Sequence, residues 1–288
     1  MEFPSSLEGA SAMDKHSSPL TLNNRGILAP HAGAMHYRIE RLLPSGPAAA
    51  FIRHYWLIQW ELPPGQAHVQ EVLEHPSVNV VLEPGCSVVS IVSPGRSSQK
   101  LEGKGQVMGM LFRPGAFRAW LDRDPEELAG KRLSAAEVLG PELLELEHAV
   151  FAESNPVQRA RLADAYWATR VPEPDASAQL VDRIVIGIQL DRSQRDVEGV
   201  AERWGLSVRS LQRLFRTYLG VTPKWVIQRY RMHETVELAA LEGEKEPNWA
   251  ALAVELGYFD QAHLIRDFKA TIGKTPASYR KHAAAESN

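Results

Sequence analysis

Cysteine is nearly absent: Cys86 is the only one in 288 residues, so no disulfide can form within the chain, and the composition fits a reducing cytosol. A lone cysteine of this kind is expected to be a small buried hydrophobe. No apolar run approaches the roughly 18–20 residues that a membrane span needs. The N-terminus lacks a basic region followed by an apolar stretch, so no secretory signal is expected. Gly-x-Ser-x-Gly, P-loop and dinucleotide-binding fingerprints do not occur, and no enzyme activity is expected. A metal cluster of the His-x-His kind is missing as well. His68, Glu71, Glu74 and His75 form the nearest grouping, with the wrong spacing, so neither metal nor cofactor is expected. There is no polybasic tail. The net charge is −3, and the part from Ala178 onward carries 16 Lys and Arg against 14 Asp and Glu. An interaction with nucleic acid must therefore rest on where the arginines sit, with little help from bulk charge.

What the chain does have is an internal repeat between Val197 and Tyr279. The first copy reads VEGVAERWGLSVRSLQRLFRTYLGVTP and the second WAALAVELGYFDQAHLIRDFKATIGKTP. Each predicts a short amphipathic helix, a Gly-centred turn, a second amphipathic helix and a Gly-x-Thr-Pro ending. Val197, Val200, Ala201 and Trp204 follow helical spacing, as do Trp249, Leu252, Ala253 and Leu256. Gly205 and Gly257 fall where a helix stops, and Ser207 and Asp260 are suited to cap the next one. Leu211, Leu214, Phe215 and Tyr218 form the buried stripe of the first second-helix. Leu264, Phe268 and Ile272 form that of its counterpart. Corresponding positions lie 52 apart before the second turn (201 and 253) and 53 apart after it (211 and 264), so that turn holds one extra residue. Pro223 and Pro276 stand where a following helix would begin. Lys224 to Glu242 has neither Gly nor Pro and predicts a connecting helix of about 28 Å, long enough to set two readers near one DNA turn apart. The acidic residues Glu242, Glu244 and Glu246 are expected to face away from phosphate.

The polar face of the first second-helix is Arg209, Ser210, Gln212, Arg213, Arg216 and Thr217. Arginine can donate bidentately to guanine and glutamine to adenine, and the leading part of a second helix is what reaches base edges in a helix-turn-helix. The matching face of the second copy is Gln261, Ala262, Ile265, Arg266 and Lys269. Ala262 and Ile265 suit a thymine methyl, or are simply exposed apolar positions. The commoner origin of any one such helix is a bundle with a solvated charged face. Two copies with the same turn, cap and ending argue against that origin here.

Ahead of the repeat, residues 1–34 are rich in Ser, Gly, Ala and Pro and are expected to be disordered. Ordered sequence begins at Met35, a candidate initiator; an intact native peptide spanning Ser17 to Arg38 would exclude that role. Residues 35–171 predict a β-rich domain, a small barrel or two-sheet arrangement of cupin-like type, ending in a helical hairpin. Its strands are expected at His36–Arg41, Ile52–Leu62, Ala67–Leu73, Ser77–Leu82, Ser87–Val92 and Gln106–Phe112, with Pro-Gly turns between them. The aromatic run from Phe51 to Trp60 is ordinary strand packing in the first instance, or the lining of a ligand cavity inside a barrel. Two helices before Arg170 form a dimerisation hairpin or pack on their own sheet. Val171-Pro172-Glu173-Pro174-Asp175 marks a linker (172–177), which suggests that the following part folds on its own. Residues 178–282 are the expected all-α double helix-turn-helix domain and 283–288 a tail, so the whole is a two-domain α+β chain.

The stretch from about Ala178 to His282 resembles the DNA-binding domain of the AraC/XylS family of bacterial transcription regulators. The residues that carry the likeness are Ser207-x-Arg209-x-Leu211-x-Arg213-x-Phe215, Gly220-Val221-Thr222-Pro223, Leu252-Ala253, Gly257-Tyr258, Phe268-Lys269 and Gly273-Lys274-Thr275-Pro276-x-x-Tyr279-Arg280. The resemblance implies two helix-turn-helix motifs reading successive major grooves of double-stranded DNA. It maps base contacts onto Arg209, Gln212 and Arg213, and onto Gln261, Ala262, Ile265 and Arg266. It also implies an N-terminal effector or dimerisation domain, a homodimer, RNA polymerase and a small-molecule effector as candidate partners, and a cytoplasmic location. Two other readings of the N-terminal part are a ligand-free protein-interaction scaffold and, less favoured, a metal-dependent enzyme.

Overall fold

The computed structural model describes residues 25–240 and 247–285. Six antiparallel strands form one sheet in the order β1-β2-β7-β4-β5-β8: β1 Tyr37–Leu42, β2 Ile52–Glu61, β4 Asn79–Leu82, β5 Val88–Ser90, β7 Lys104–Phe112 and β8 Arg132–Ser134. The remaining two, β3 Ala67–Val72 and β6 Ser97–Glu102, pair as a separate ribbon. Strand β2, paired between β1 and β7, serves both faces of the sheet by its alternation. Tyr55 and Leu57 are buried in the core, while Trp56 and Ile58 point the other way and stay partly accessible. Cys86 is exposed in the turn after β4, contrary to the buried position expected, because the Glu83–Cys86 turn holds it in solvent.

Beyond β7 come a short helix α2 (Pro125–Leu128), α3 (Ala135–Leu139), and the pair α4 (Leu143–Ala152) and α5 (Pro156–Ala168). Leu143, Leu146 and Val150 of α4, with Ala160, Ala163 and Trp167 of α5, join the sheet's core, so both helices turn their apolar faces onto their own sheet. Trp167 is fully buried, edge-on to Phe112 and Trp120. Its indole N–H donates to Met110 Sδ at 3.0 Å.

The C-terminal region is helical: α6 Ala176–Leu190, α7 Val197–Arg203, α8 Val208–Leu219, α9 Pro223–Ala240, α10 Trp249–Glu255, α11 Gln261–Ile272 and α12 Pro276–Ala285. Helix α6 starts inside the expected linker because Asp175 caps it, accepting from the backbone N–H groups of Ser177 and Ala178 at 2.8 and 3.1 Å. Two cores flank α9. Val226, Ile227 and Tyr230 face α6, α7 and α8, whereas Met232, Val236 and Ala239 face α10, α11 and α12. The acidic residues Glu242, Glu244 and Glu246 lie outside the described residues, as do residues 1–24.

The helical region does not stand apart from the sheet. Leu28 and Leu73 belong to the core of the second helix-turn-helix unit, and Val92 belongs to that of the first. The stretch expected to be disordered is structured from Arg25 onward, with α1 at Pro30–Ala34. Its order comes from remote partners. Leu28 is 4% exposed, the Ala29 N–H donates to Tyr279 Oη at 2.8 Å, and Arg25 pairs with Glu237 at 2.6 Å. A segment without periodicity of its own is thus fixed by two surfaces it bridges.

Candidate nucleic-acid interface

The repeat folds as two helix-turn-helix units built by the same local devices. In the first, Asp196 caps α7, accepting from Gly199 N at 2.7 Å, and Ser207 caps α8, accepting from Ser210 N at 3.1 Å. In the second, Asn248 caps α10 through Ala251 N at 3.1 Å, and Asp260 caps α11 through His263 N at 2.7 Å. Each cap satisfies a donor that a helix start would otherwise leave unpaired. The turns superpose in their bonding: Leu206 N donates to Ala201 O at 2.9 Å and Tyr258 N to Ala253 O at 2.8 Å. The Gly-x-Thr-Pro endings have a shared mechanism too. Gly220 and Gly273 close α8 and α11 in the left-handed region at φ 71° and 81°. Thr222 and Thr275 then accept from Trp225 N and Ser278 N, both at 3.2 Å, to cap α9 and α12, with proline in the first helical position.

Leu211, Phe215 and Leu219 anchor α8, and Leu264, Phe268 and Ile272 anchor α11. Their opposite faces are open. Arg209, Gln212, Arg213, Arg216 and Thr217 are exposed and Ser210 is half-buried on α8; Gln261, Ala262, Arg266 and Lys269 are exposed and Ile265 is half-buried on α11. The side chains singled out in the sequence therefore lie on the outward faces of the two second helices. Three arginines make the first face clearly basic, while the second mixes Arg266 and Lys269 with two small or apolar residues.

The sheet grips both units. Arg229 of α9 donates to the carbonyls of Pro94 and Gly95 at 2.6 and 3.0 Å, and its guanidinium lies 4.6 Å from the Trp225 ring. Arg96 donates to the carbonyl of Ile272 at the end of α11 and pairs with Glu71 at 3.2 Å. Within the helical region, Tyr218 of α8 donates to Asp175, the cap of α6, at 2.7 Å. Gly220 abuts α2 so closely that an added Cβ would meet the Pro125 carbonyl at 2.5 Å. A Gly220→Ala chain combines that clash with left-handed strain, and it is expected to lose about 2–3 kcal/mol of stability. An unchanged urea midpoint would show that α2 yields there without cost.

Between the sheet and the helices lies a cavity of about 600 Å³. Its sheet wall is the outward face of β2, with His54, Trp56 and Ile58, joined by Ile39, Arg41 and Leu111; α6 and α9 supply Ile188, Ile227 and Tyr230. The β2 aromatics thus split by strand parity: Tyr55 is core, and Trp56 lines a cavity outside the sheet's own core, not inside a barrel. Arg53 donates to Gln189 at 2.9 Å, and its guanidinium also meets the buried Tyr230 hydroxyl. Burial beside Arg53 and Arg41 lowers His54 to about 4. Next to the cavity, His75 and His233 stack across the boundary with centroids 4.6 Å apart. Burial and Arg53 hold His75 down to about 3; burial, His75 and Arg229 hold His233 well below its ordinary value. None of this is visible in either half of the sequence alone, although the alternation along β2 marks which of its residues face outward.

The residues once grouped as metal candidates are dispersed. His68 stacks on His36 at 4.4 Å, Glu71 pairs with Arg96 and His75 stacks on His233. Among the described residues no group of three or more His, Cys, Asp or Glu is placed to hold a metal ion.

Two capped helix-turn-helix units joined by one helix define a double helix-turn-helix domain. Residues 200–282 match a family described as "Helix-turn-helix domain", and residues 40–134 match a domain of unknown function. With the motifs above, the C-terminal region carries a helix-turn-helix domain of the AraC type. No curated protein matches it. Among solved structures it is similar to the C-terminal domain of AraT, a response regulator from Geobacillus stearothermophilus, at 29% identity over 38% of this chain and 88% of that one, TM-score 0.33. It is also similar to the DNA-binding domain of AdpA, a global transcriptional factor in complex with a target DNA, at 25% identity over 39% and 96%, TM-score 0.31. ToxT from Vibrio cholerae O395 aligns over 85% of this chain and 96% of its own, at 9% identity and TM-score 0.38. No helix among the described residues is long and apolar enough to cross a membrane.

Proposed function

We propose that this protein recognises a specific double-stranded DNA site in the cytoplasm by placing α8 and α11 in successive major grooves, and regulates transcription from it. The observation that carries this reading is the pair of outward faces, each at the start of a capped second helix and both held to one connecting helix. On α8, Arg209, Gln212 and Arg213 are the base readers and Arg216 a phosphate contact; on α11, Gln261, Ala262, Ile265 and Arg266 read and Lys269 contacts phosphate. RNA polymerase and a second copy of the chain are the protein partners this function calls for.

Selection of bound sequences from a random duplex pool tests the reading, and enrichment of no sequence would refute it. With the selected site, Arg213→Ala is expected to weaken binding by about 1–3 kcal/mol, since a bidentate arginine–guanine contact is worth that much. Equal affinity of the two proteins would remove Arg213 from the interface. Affinity should also fall steeply with salt as phosphate contacts release counterions; a flat titration would point to a partner other than DNA.

The cavity supports control by a small-molecule effector. Its walls combine apolar side chains such as Ile58, Trp56 and Ile188 with the arginines Arg41, Arg53 and Arg113, a lining suited to a ligand with an apolar body and an anionic or acceptor group. A ligand held there would touch both regions and so bias how the sheet grips the two units. A metabolite screen by thermal shift checks this: an effector raises Tm in the wild type and less so in Arg53→Gln. An equal shift in the variant would place the ligand elsewhere.

A further inference from the structure

The two units are copies except at one place. From the glycine of each turn, the first unit runs Gly205-Leu206-Ser207 and the second Gly257-Tyr258-Phe259-Asp260. Leu206 and Tyr258 occupy the same position, since each donates its N–H to the residue five back, and Ser207 and Asp260 are the two caps. The inserted residue is therefore Phe259. It is 89% exposed, the most exposed large hydrophobic side chain among the described residues. Its neighbours hold it in place. Tyr258 is buried at 5% and sits edge-on to His263 at 5.2 Å, while Asp260 is tied to the first turn of α11. The ring is thus presented to solvent from a fixed point at the leading end of the second recognition helix. Nothing in the fold uses it. It stands two residues ahead of α11, whose outward face carries the exposed Ala262 and the half-buried Ile265.

Polar readers are sparse on this face compared with the three arginines of α8. An apolar residue in the major groove has one distinctive target, the C5-methyl of thymine. We propose that Phe259 is a specificity-determining DNA contact, whose ring packs on a thymine methyl in the half-site read by α11 and so selects a T·A pair at one position of it. The inference rests on the DNA-reading function above and goes beyond it in assigning a residue and a base preference. Because the insertion has no counterpart in the first unit, the preference belongs to one half of the site only.

The test uses the full chain and the duplex obtained by selection. Each thymine is replaced singly by deoxyuridine, which removes the methyl and keeps the base pair. Wild-type protein is expected to lose affinity by roughly 4-fold at one position of the α11 half-site, the scale of one buried methyl group. Phe259→Ala should lose at least that factor on the thymine duplex and be insensitive to removal of that one methyl. Unchanged Tm in Phe259→Ala confirms that the side chain is not structural. Equal affinity of variant and wild type overturns the inference, as does a loss that is the same whichever thymine is replaced. The wild-type selection separates the two claims: if no sequence is enriched, DNA reading itself fails; if one is enriched and the methyl cycle is flat, only the role of Phe259 fails.

Discussion

Phe215→Ala is expected to destabilise the first helix-turn-helix unit by about 3–5 kcal/mol, the usual cost of emptying a fully buried phenylalanine site. Phe215 has no exposed surface and shares a core with Val185, Leu211 and Ile227, drawn from α6, α8 and α9. Three helices converge on one ring, so collapse around the void would need all three to shift. The orientation of α8 is what this ring fixes, and its loss should abolish specific DNA binding even where the chain stays folded. A urea titration read by tryptophan fluorescence measures the first effect, and binding to the selected duplex the second. Arg213→Ala is the comparison: its side chain is exposed, so it should change binding with little change in midpoint. A Phe215→Ala protein with the wild-type midpoint would contradict the packing described.

Acidification is the second large effect. His75 and His233 stack at the boundary between sheet and helices, facing Arg25, Arg53, Arg229, Glu74 and Tyr230. Both are held below the ordinary histidine value, His75 to about 3. Unfolding frees each to bind a proton from about pH 6.5 downward, which the folded chain resists. The unfolded state therefore binds more protons throughout that window, and stability falls as pH drops from about 6.5 towards 3. At pH 5 the loss from His75 is roughly 2 kcal/mol, and His233 adds to it in the same direction. Tm should decline steeply between pH 7 and 5, and His233→Leu should flatten the decline. A variant profile parallel to the wild type would clear this pair of responsibility. The boundary itself should fail first, since a charge on either ring has arginines for neighbours.

The helix-turn-helix units were legible in the sequence because each device that builds them is local. Ser207, Asp260, Gly220, Gly273, Thr222 and Thr275 act within four residues of where they stand, so spacing alone reveals their work. Strand β6 escaped notice for the opposite reason. Ser97-Ser98-Gln99-Lys100-Leu101-Glu102 pairs only with β3 and buries Leu101 alone, leaving no alternation to read. The order of residues 25–34 was hidden because it depends on Tyr279 and Glu237, some two hundred residues away. The cavity was hidden likewise, being a gap between two surfaces that sequence order keeps apart. On the candidate interface, the residue types and their outward faces could be read, and the extra turn residue could be counted. That its ring stands in solvent required knowing that Tyr258, and not Phe259, takes the buried place.

Helix α9 has a consequence for how such a protein can change its target. Both cores rest on it, one on the Val226–Tyr230 end and one on the Met232–Ala239 end. A single residue inserted between them would turn everything downstream by about 100° and advance it about 1.5 Å. The second reader would then no longer face the groove next to the one proposed for the first. On the proposed reading, substitution on α8 or α11 alters which bases are preferred, while the phase between the two half-sites is set by the length of one rod. New operators for this architecture are therefore reachable by changing letters and not by changing spacing, and a base pair added between the half-sites should be tolerated no better than a residue added to α9.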